Sequence, residues 1–424
     1  LLLALSLALA GAAYAEIHYS VAIHDIPNSS TGTVIGIPRQ QAVCLSQAAH
    51  LVVMWAPSSN IAWFYKTTDG GASWNDTLNT GFWGGNVHGH LAVWNDTVYH
   101  FSPFYGSQAP QDSFHVQIIE TGNLTVVANT GGDTVNYNPG SSLAASGQPT
   151  GNPNQMVAIA RSSSHGFPFW LSSDRGRTWL NQHASVTGGD ISSSETRMGL
   201  TSVGDSCMAL LYLAGNIDVY HWRTSSSSWS RESTGHFISG NTQRVFSGSV
   251  ADDTVYILAV NGDVSSYYVA KRRVGNGPIA QDTLWSGPPA YRSNPEYIGY
   301  GALQKIENLN TVAAFYVRPS NGSAGPDSSK LYFRLYYGGI WEPEQLISAG
   351  AGTANLTCPF VVPMSHGDFA YCQFKDYSGG HLATVRIDVG VTRGDIDRAI
   401  MGFRAGGVTL QEVLDLIERY NSGQ

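Results

Sequence analysis

Apolar residues in this chain gather in short runs, and stretches rich in Gly, Ser, Asn and Asp separate the runs. Residues 50–56 (HLVVMWA), 156–161 (MVAIAR) and 208–213 (MALLYL) are nearly continuous in apolar character. A Tyr- or Trp-rich run follows each unit: 61–66 (IAWFYK), 217–222 (IDVYHW) and 331–336 (LYFRLY). Apolar runs this short, bounded by turn residues and rich in β-branched and aromatic side chains, predict short β-strands.

The strands recur with a period. Tryptophans at equivalent places stand at positions 74, 179, 229, 285 and 341, so the gaps are 105, 50, 56 and 56 residues. The first gap is two periods, and its skipped position falls near Leu124 in the turn-like TGNLTV. A repeat of about 50 residues with several short strands is the size of a four-stranded propeller blade. Six such units end near residue 347, and a seventh set follows at 356–362, 369–374 and 381–387 without an outer strand. The N-terminal run 17–23 would supply that strand. The expected fold is an all-β propeller of seven blades, or of six if the last strands complete the first blade.

The pattern changes after residue 388. Segments 391–406 and 408–423 align at an offset of 17: Thr392 with Thr409, Asp395 with Glu412, Ile400 with Ile417, Gly406 with Gly423. Thr followed three residues later by an acid is a capping-box signal, and Gly is a stop. Residues 389–424 are therefore expected to form a small α-helical hairpin, which needs a partner surface because so short a unit buries little by itself. That surface is the propeller or another protein.

Composition narrows the setting. The 424 residues carry 13% charged side chains, 47 Gly and a net charge of −8 with only 23 Lys and Arg, which argues against nucleic acid as a partner. Residues 1–15 (LLLALSLALAGAAYA) read as a truncated signal peptide with a small-x-small site at Ala13-Tyr14-Ala15. The mature chain then starts at Glu16, the propeller spans 16–388, and the protein is secreted or held at the cell surface. No later segment reads as a membrane span. Cys358 and Cys372 flank the turn MSHGD and would face each other across a hairpin as a disulfide, while Cys44 and Cys207 read as buried thiols. Sequons occur at Asn28, Asn75, Asn95, Asn123, Asn321 and Asn355.

Two stretches carry the most specific signal: 67–74 (TTDGGASW) and 172–179 (SSDRGRTW). Each reads Ser/Thr-x-Asp-x-Gly-x-Ser/Thr-Trp. Asp69 and Asp174 are placed to accept backbone N–H bonds inside their own turn, and the glycines permit positive φ. The pattern resembles the Asp box of the sialidase-like (BNR repeat) β-propellers, and the tail resembles a dockerin-like helix pair. The dockerin resemblance does not extend to a full set of calcium ligands, since only Asp388, Asp395 and Asp397 lie near.

The sialidase resemblance implies an arginine triad gripping a substrate carboxylate and a Tyr nucleophile activated by Glu. Carried over, it points to Arg39, Arg197 and Arg244 at the starts of innermost strands, with Tyr297 or Tyr300 as nucleophile and Glu296 or Glu195 as its base. The family's Phe/Tyr-Arg-Ile-Pro motif is replaced by Gly36-Ile37-Pro38-Arg39, and the position of its acid/base Asp reads 85–90 (GNVHGH), where His88 becomes a substrate-binding candidate. His88 and His90 lack a third ligand in sequence, so neither a metal nor a cofactor is expected. Glu342 and Glu344, around a Pro, read as a solvated turn. Three functions remain open. One is recognition of an extracellular glycan or protein at the channel mouth, with the tail for attachment. The others are an exo-glycosidase of the sialidase type, acting on acidic sugars, and a structural subunit of an extracellular assembly.

Overall fold

The computed structural model describes residues 19–25, 42–45, 50–58, 61–80, 90–103, 114–131, 144–150, 152, 154–161, 167–186, 197–203, 206–213, 216–223, 226–231, 242–251, 253–261, 266–274, 278–287, 301–306, 311–319, 329–337, 339–347, 356–361, 369–376, 381–389 and 393–422. Strand β1 spans Tyr19–Asp25. Sheet 1 then holds β2 (Ala42–Cys44), β3 (Leu51–Ser58), β4 (Ile61–Thr67) and β5 (Asp76–Asn79). Sheet 2 holds β6 (His90–Trp94), β7 (Thr97–Pro103), β8 (Phe114–Glu120) and β9 (Thr125–Gly131). Sheet 3 holds β10 (Ala144–Pro149), β11 (Met156–Arg161), β12 (Pro168–Ser172) and β13 (Leu180–Ser185). Sheet 4 holds β14 (Arg197–Val203), β15 (Ser206–Leu213), β16 (Asn216–Arg223) and β17 (Ser228–Arg231). Sheet 5 holds β18 (Thr242–Ala251), β19 (Thr254–Asn261), β20 (Ser266–Arg273) and β21 (Ala280–Ser286). Sheet 6 holds β22 (Gly301–Ile306), β23 (Thr311–Pro319), β24 (Ser329–Tyr337), β25 (Ile340–Trp341) and β26 (Gln345–Leu346). Sheet 7 holds β27 (Leu356–Val361), β28 (Phe369–Asp376) and β29 (His381–Val389), and β1 pairs antiparallel with β29 as its outer strand.

Among the described residues, then, the strands form seven antiparallel meanders. The protein is an all-β propeller with two short C-terminal helices. Neighbouring sheets meet through their first strands, β2 with β6, β6 with β10, β10 with β14, β14 with β18, β18 with β22 and β22 with β27. The last sheet reaches back to the first at Gly70, where the Arg386 guanidinium of β29 occupies the space a Cβ would need. The last three strands pair with β1 and form a sheet separate from β2–β5.

The apolar core lies between sheets, which is why these strands read as continuous hydrophobic runs in sequence. Val52 and Phe64 of sheet 1 pack with Leu91, Val98 and Ile119 of sheet 2. The opposite face of sheet 2 (Tyr99, Phe101, Phe114, Val116) packs with Met156, Ala158 and Trp170 of sheet 3. Sheets 3 and 4 share Phe169, Trp222 and Trp229; sheets 5 and 6 share Leu258, Tyr267, Leu303 and Tyr316. Ring pairs set edge to face fill these wedges, such as Phe114 with Trp170 at 4.7 Å and Phe114 with Trp179 at 5.2 Å.

The two Asp-containing turns close third strand to fourth in sheets 1 and 3. Ser73 N–H donates to Asp69 Oδ1 at 2.8 Å, and Thr178 N–H donates to Asp174 Oδ1 at 2.8 Å. The same carboxylates accept from Ser73 Oγ (2.5 Å) and Thr178 Oγ1 (2.6 Å). Thr67 and Ser172 add bonds from Gly71 N–H (3.0 Å) and Gly176 N–H (2.7 Å) to their hydroxyls. Gly71 and Gly176 sit at φ 97 and 74, where a side chain would be strained. The sheet 3 turn also ties onto sheet 2, because Thr130 Oγ1 donates to the Gly176 carbonyl at 2.6 Å and Trp179 joins the Phe101–Phe114 cluster.

Helix α1 spans Arg393–Arg404 and α2 spans Leu410–Ser422. Gly406 (φ 78) ends α1 with a Gly407 N–H to Gly402 carbonyl bond of 2.9 Å, and Thr409 and Glu412 form a reciprocal capping box. Ile396, Ala399 and Val413 are buried, and Ile396 packs with Ile400, Leu416 and Ile417. The membership of a cap at Thr392 lies outside the described residues.

The expected Cys358–Cys372 pairing is corrected by the register. Cys372 stands opposite Val361, and Cys358 falls in the irregular stretch between Thr357 and Phe360. An inserted bulge of this kind shifts the ladder, so the two cysteines are not directly opposed. Cys44 is a buried thiol that donates to the Leu45 carbonyl at 3.4 Å.

Candidate functional site

In each antiparallel meander the first strand starts on one rim, and the link from second to third strand returns to that same rim. We call it the mouth; the tight turns from first to second and third to fourth strands lie on the opposite, turn face. First strands line the central channel of a propeller.

Arg197 is the first residue of β14, opposite Tyr212, and Arg244 is the third of β18, opposite Val260 at an irregularity in the ladder. Both therefore lie at the mouth ends of adjacent innermost strands. Arg39, His88, Glu195, Glu296, Tyr297 and Tyr300 lie outside the described residues. In sequence Glu296, Tyr297 and Tyr300 come directly before Gly301, where β22 starts. Among the described residues no group of three His, Cys, Asp or Glu is placed to hold a metal, and no helix is long and apolar enough to cross a membrane.

Sheet 2 carries a row of buried polar side chains. His100 Nδ1 lies 3.0 Å from Gln117 Oε1, and Gln117 Nε2 donates to Asn129 Oδ1 at 3.4 Å, a polar row across β7, β8 and β9. The His100 ring meets Phe64 of sheet 1 edge to face at 5.3 Å. Burial pushes its pKa down to about 4, against the opposing pull of the Gln117 bond. Burial also lowers His115 to about 4. Both rings are neutral at ordinary pH, so they add no cation to the packing of sheets 1 and 2. Single-residue patterns in the sequence gave no sign of the row, because it appears only when β7 and β8 are set in register.

Sheet 6 holds a second cluster that sequence reasoning missed. Tyr316 O–H donates to Glu344 Oε2 at 2.5 Å, and Arg318 Nη2 lies 2.5 Å from Glu344 Oε1. Arg318 also lies over the Tyr332 ring at 4.0 Å. Glu344 is thus no solvated turn residue; it is a mostly buried ion-pair partner, 20% exposed. The phenol–carboxylate pair has the composition of an activated nucleophile, but Tyr316 is fully buried between sheets 5 and 6, on the second strand, opposite Gly301 at the mouth end of β22. Burial raises the Tyr316 pKa above its ordinary value, and the Glu344 bond and charge raise it further. This phenol stays protonated, and its role is structural.

No protein-family model and no curated protein matches the chain. Structural neighbours include sialidases. The chain is similar to Trypanosoma rangeli sialidase at 10% identity and TM-score 0.46, over 91% of this chain and 62% of that one. It is similar to the K499G mutant of NanB sialidase from Streptococcus pneumoniae at 10% identity and TM-score 0.46, covering 88% and 71%. An uncharacterized protein from Listeria monocytogenes EGD-e has 12% identity and TM-score 0.40, covering 84% and 97%. The chain thus spans less than two thirds of the Trypanosoma sialidase. These likenesses are remote, and the propeller rests on the strand ladders themselves.

Proposed function

We propose that this protein is an exported propeller that recognises an acidic glycan at its channel mouth. The observation that carries the reading is the placement of Arg197 and Arg244 at the same rim, on adjacent innermost strands. Two arginines at neighbouring strand ends supply the residue type suited to bidentate capture of a sugar carboxylate. Arg39 and His88 extend that surface in the proposal. The seven sheets serve as seven blades of one ring, with β1 closing it, and the turns at Asp69 and Asp174 serve as Asp boxes that brace it. Residues 1–15 direct export, and the helical hairpin attaches the propeller to a surface or to an assembly.

A second reading, an exo-glycosidase of the sialidase type, draws support from Glu296, Tyr297 and Tyr300, which directly precede the strand next to that of Arg244. In it the phenolic oxygen of Tyr297 or Tyr300 bonds to the anomeric carbon while Glu296 or Glu195 takes the phenolic proton. The glycosidic C–O bond breaks, the aglycone oxygen leaves with the electron pair and takes a proton from water, and a second water then releases the sugar from the phenol. Release of sialic acid from a fluorogenic sialoside separates the two. Turnover by the full chain that Arg244→Ala abolishes establishes the hydrolase. Absence of turnover, with retained binding of the sialoside, leaves recognition as the function.

A further inference from the structure

Three sequons fall among the described residues, at Asn75, Asn95 and Asn123. Asn75 lies in the turn between β4 and β5. Asn95 and Asp96 form the two-residue turn between β6 and β7, with Trp94 opposite Thr97 and Asn95 at φ 51, a conformation Asn tolerates better than most residues. Asn123 lies in the turn between β8 and β9. All three belong to first-to-second or third-to-fourth connections, so the meanders of sheets 1 and 2 bring them to the turn face, away from the mouth.

Hydrogen bonds weld these turns into one patch. Thr121 Oγ1 donates to the Asp96 carbonyl at 2.5 Å, which joins the Asn95 hairpin to the Asn123 turn. Lys66 Nζ donates to the Thr121 carbonyl at 2.6 Å, which ties both to the strand that leads into the Asn75 turn. The asparagines themselves are exposed, and the one bond shown for them is Asn75 Nδ2 to the Ser73 hydroxyl at 3.2 Å. Adding bulk at their amide nitrogens disturbs no packing.

We infer that Asn75, Asn95 and Asn123 form a cluster of N-glycosylation sites covering the turn face of sheets 1 and 2. The inference rests on the export reading. The co-substrate is a lipid-diphosphate-linked oligosaccharide. The carboxamide nitrogen forms a bond to the anomeric carbon, and the bond from that carbon to the diphosphate oxygen breaks. The lipid diphosphate leaves with the electron pair, and the amide proton passes to a base of the transferase. A glycan at Asn123 stands beside the outer edge of β9 (TVVANTG), which carries no charged side chain and exposes Val127 at 58%. An edge of that kind is open to strand addition unless it is covered. The mouth stays clear of all three sugars.

The test is expression of the full chain in animal secretory cells, with its own first residues and, in parallel, behind an added cleavable leader. Peptide-N-glycosidase digestion in heavy-oxygen water, on the pooled medium and cell fractions, then marks each occupied asparagine as labelled aspartate by mass spectrometry. The expected result is label at Asn75, Asn95 and Asn123, with one gel-mobility step lost for each Asn→Gln substitution. Thr77→Ala, Thr97→Ala and Thr125→Ala must remove the same steps while leaving the turn asparagines in place. Unlabelled asparagines at these three positions behind the added leader overturn the inference. Label behind the added leader but none with the chain's own first residues leaves the inference standing and overturns only residues 1–15 as a sufficient export signal.

Discussion

The turns at residues 67–74 and 172–179 and the outer edge of sheets 5 and 6 do the same job by opposite means. In each case an outermost strand must be fixed to the strand inside it. In sheets 1 and 3 one carboxylate does this within eight residues, by accepting a backbone N–H and a hydroxyl four positions ahead. In sheet 6 the fixing also reaches across to sheet 5. Arg334 donates from Nε to the Glu342 carbonyl (2.7 Å), from Nη2 to the Trp341 carbonyl (3.0 Å) and from Nη1 to the Leu284 carbonyl of sheet 5 (2.6 Å). Lys271 and Asp282, 2.7 Å apart, add a bridge to Tyr336 and Trp341. A turn held by its own side chains folds before its neighbours arrive; Arg334 fills its third acceptor, the Leu284 carbonyl, only once two sheets have met.

Arg334→Met should therefore have the largest effect. It leaves three carbonyls without their charged donor, and a loss of about 2–4 kcal/mol in urea unfolding is expected. A loss under about 0.5 kcal/mol, the range of an ordinary surface substitution, would remove the distinction between the two regions.

Acid separates the two classes by pH window. The folded pKa of His100 lies below its ordinary 6.5, at about 4, so the unfolded chain takes up the proton first. Its contribution is full above pH 6.5 and is lost as pH falls toward 4, by on the order of 3 kcal/mol. His100→Gln should flatten that part of the unfolding profile. For Asp69 burial pushes the pKa up, yet the bonds from Ser73 and Thr67 prevail and hold it at about 2. Its contribution is full above its ordinary 3.8 and is lost as pH falls through 2. The inter-sheet contact thus weakens well before the local turn, and a single transition with both losses below pH 4 would contradict this.

Asp174→Ala should have the smallest effect, about 1–2 kcal/mol, because it removes local bonds and leaves the turn near water. Hydrogen exchange should localise the damage to residues 172–179 and the neighbouring β9, with sheets 5 and 6 unchanged.

The same contrast decides what could be read from sequence. Strands such as β11 were legible because both faces are buried and the run is uniformly apolar. The Asp turns and the α2 capping box were legible because all of their partners lie within a few residues. The Tyr316–Glu344–Arg318 cluster spans 28 positions and looked like a solvated turn. The expected opposition of Cys358 and Cys372 in the ladder failed because symmetry about a turn does not reveal a bulge. The mouth was legible as far as Arg197 and Arg244 at strand starts, since period and blade order place them; side chains that converge from different sheets leave no mark in spacing.

The claim that matters most is that this mouth takes an acidic sugar through Arg197 and Arg244. Calorimetric titration of the full chain with a sialylated oligosaccharide and with its desialylated form tests it directly. The account predicts binding of the sialylated form alone, weakened at least about tenfold, or about 1.4 kcal/mol, by Arg197→Ala with Arg244→Ala. Equal binding of both oligosaccharides, or binding that survives the double substitution, would contradict it.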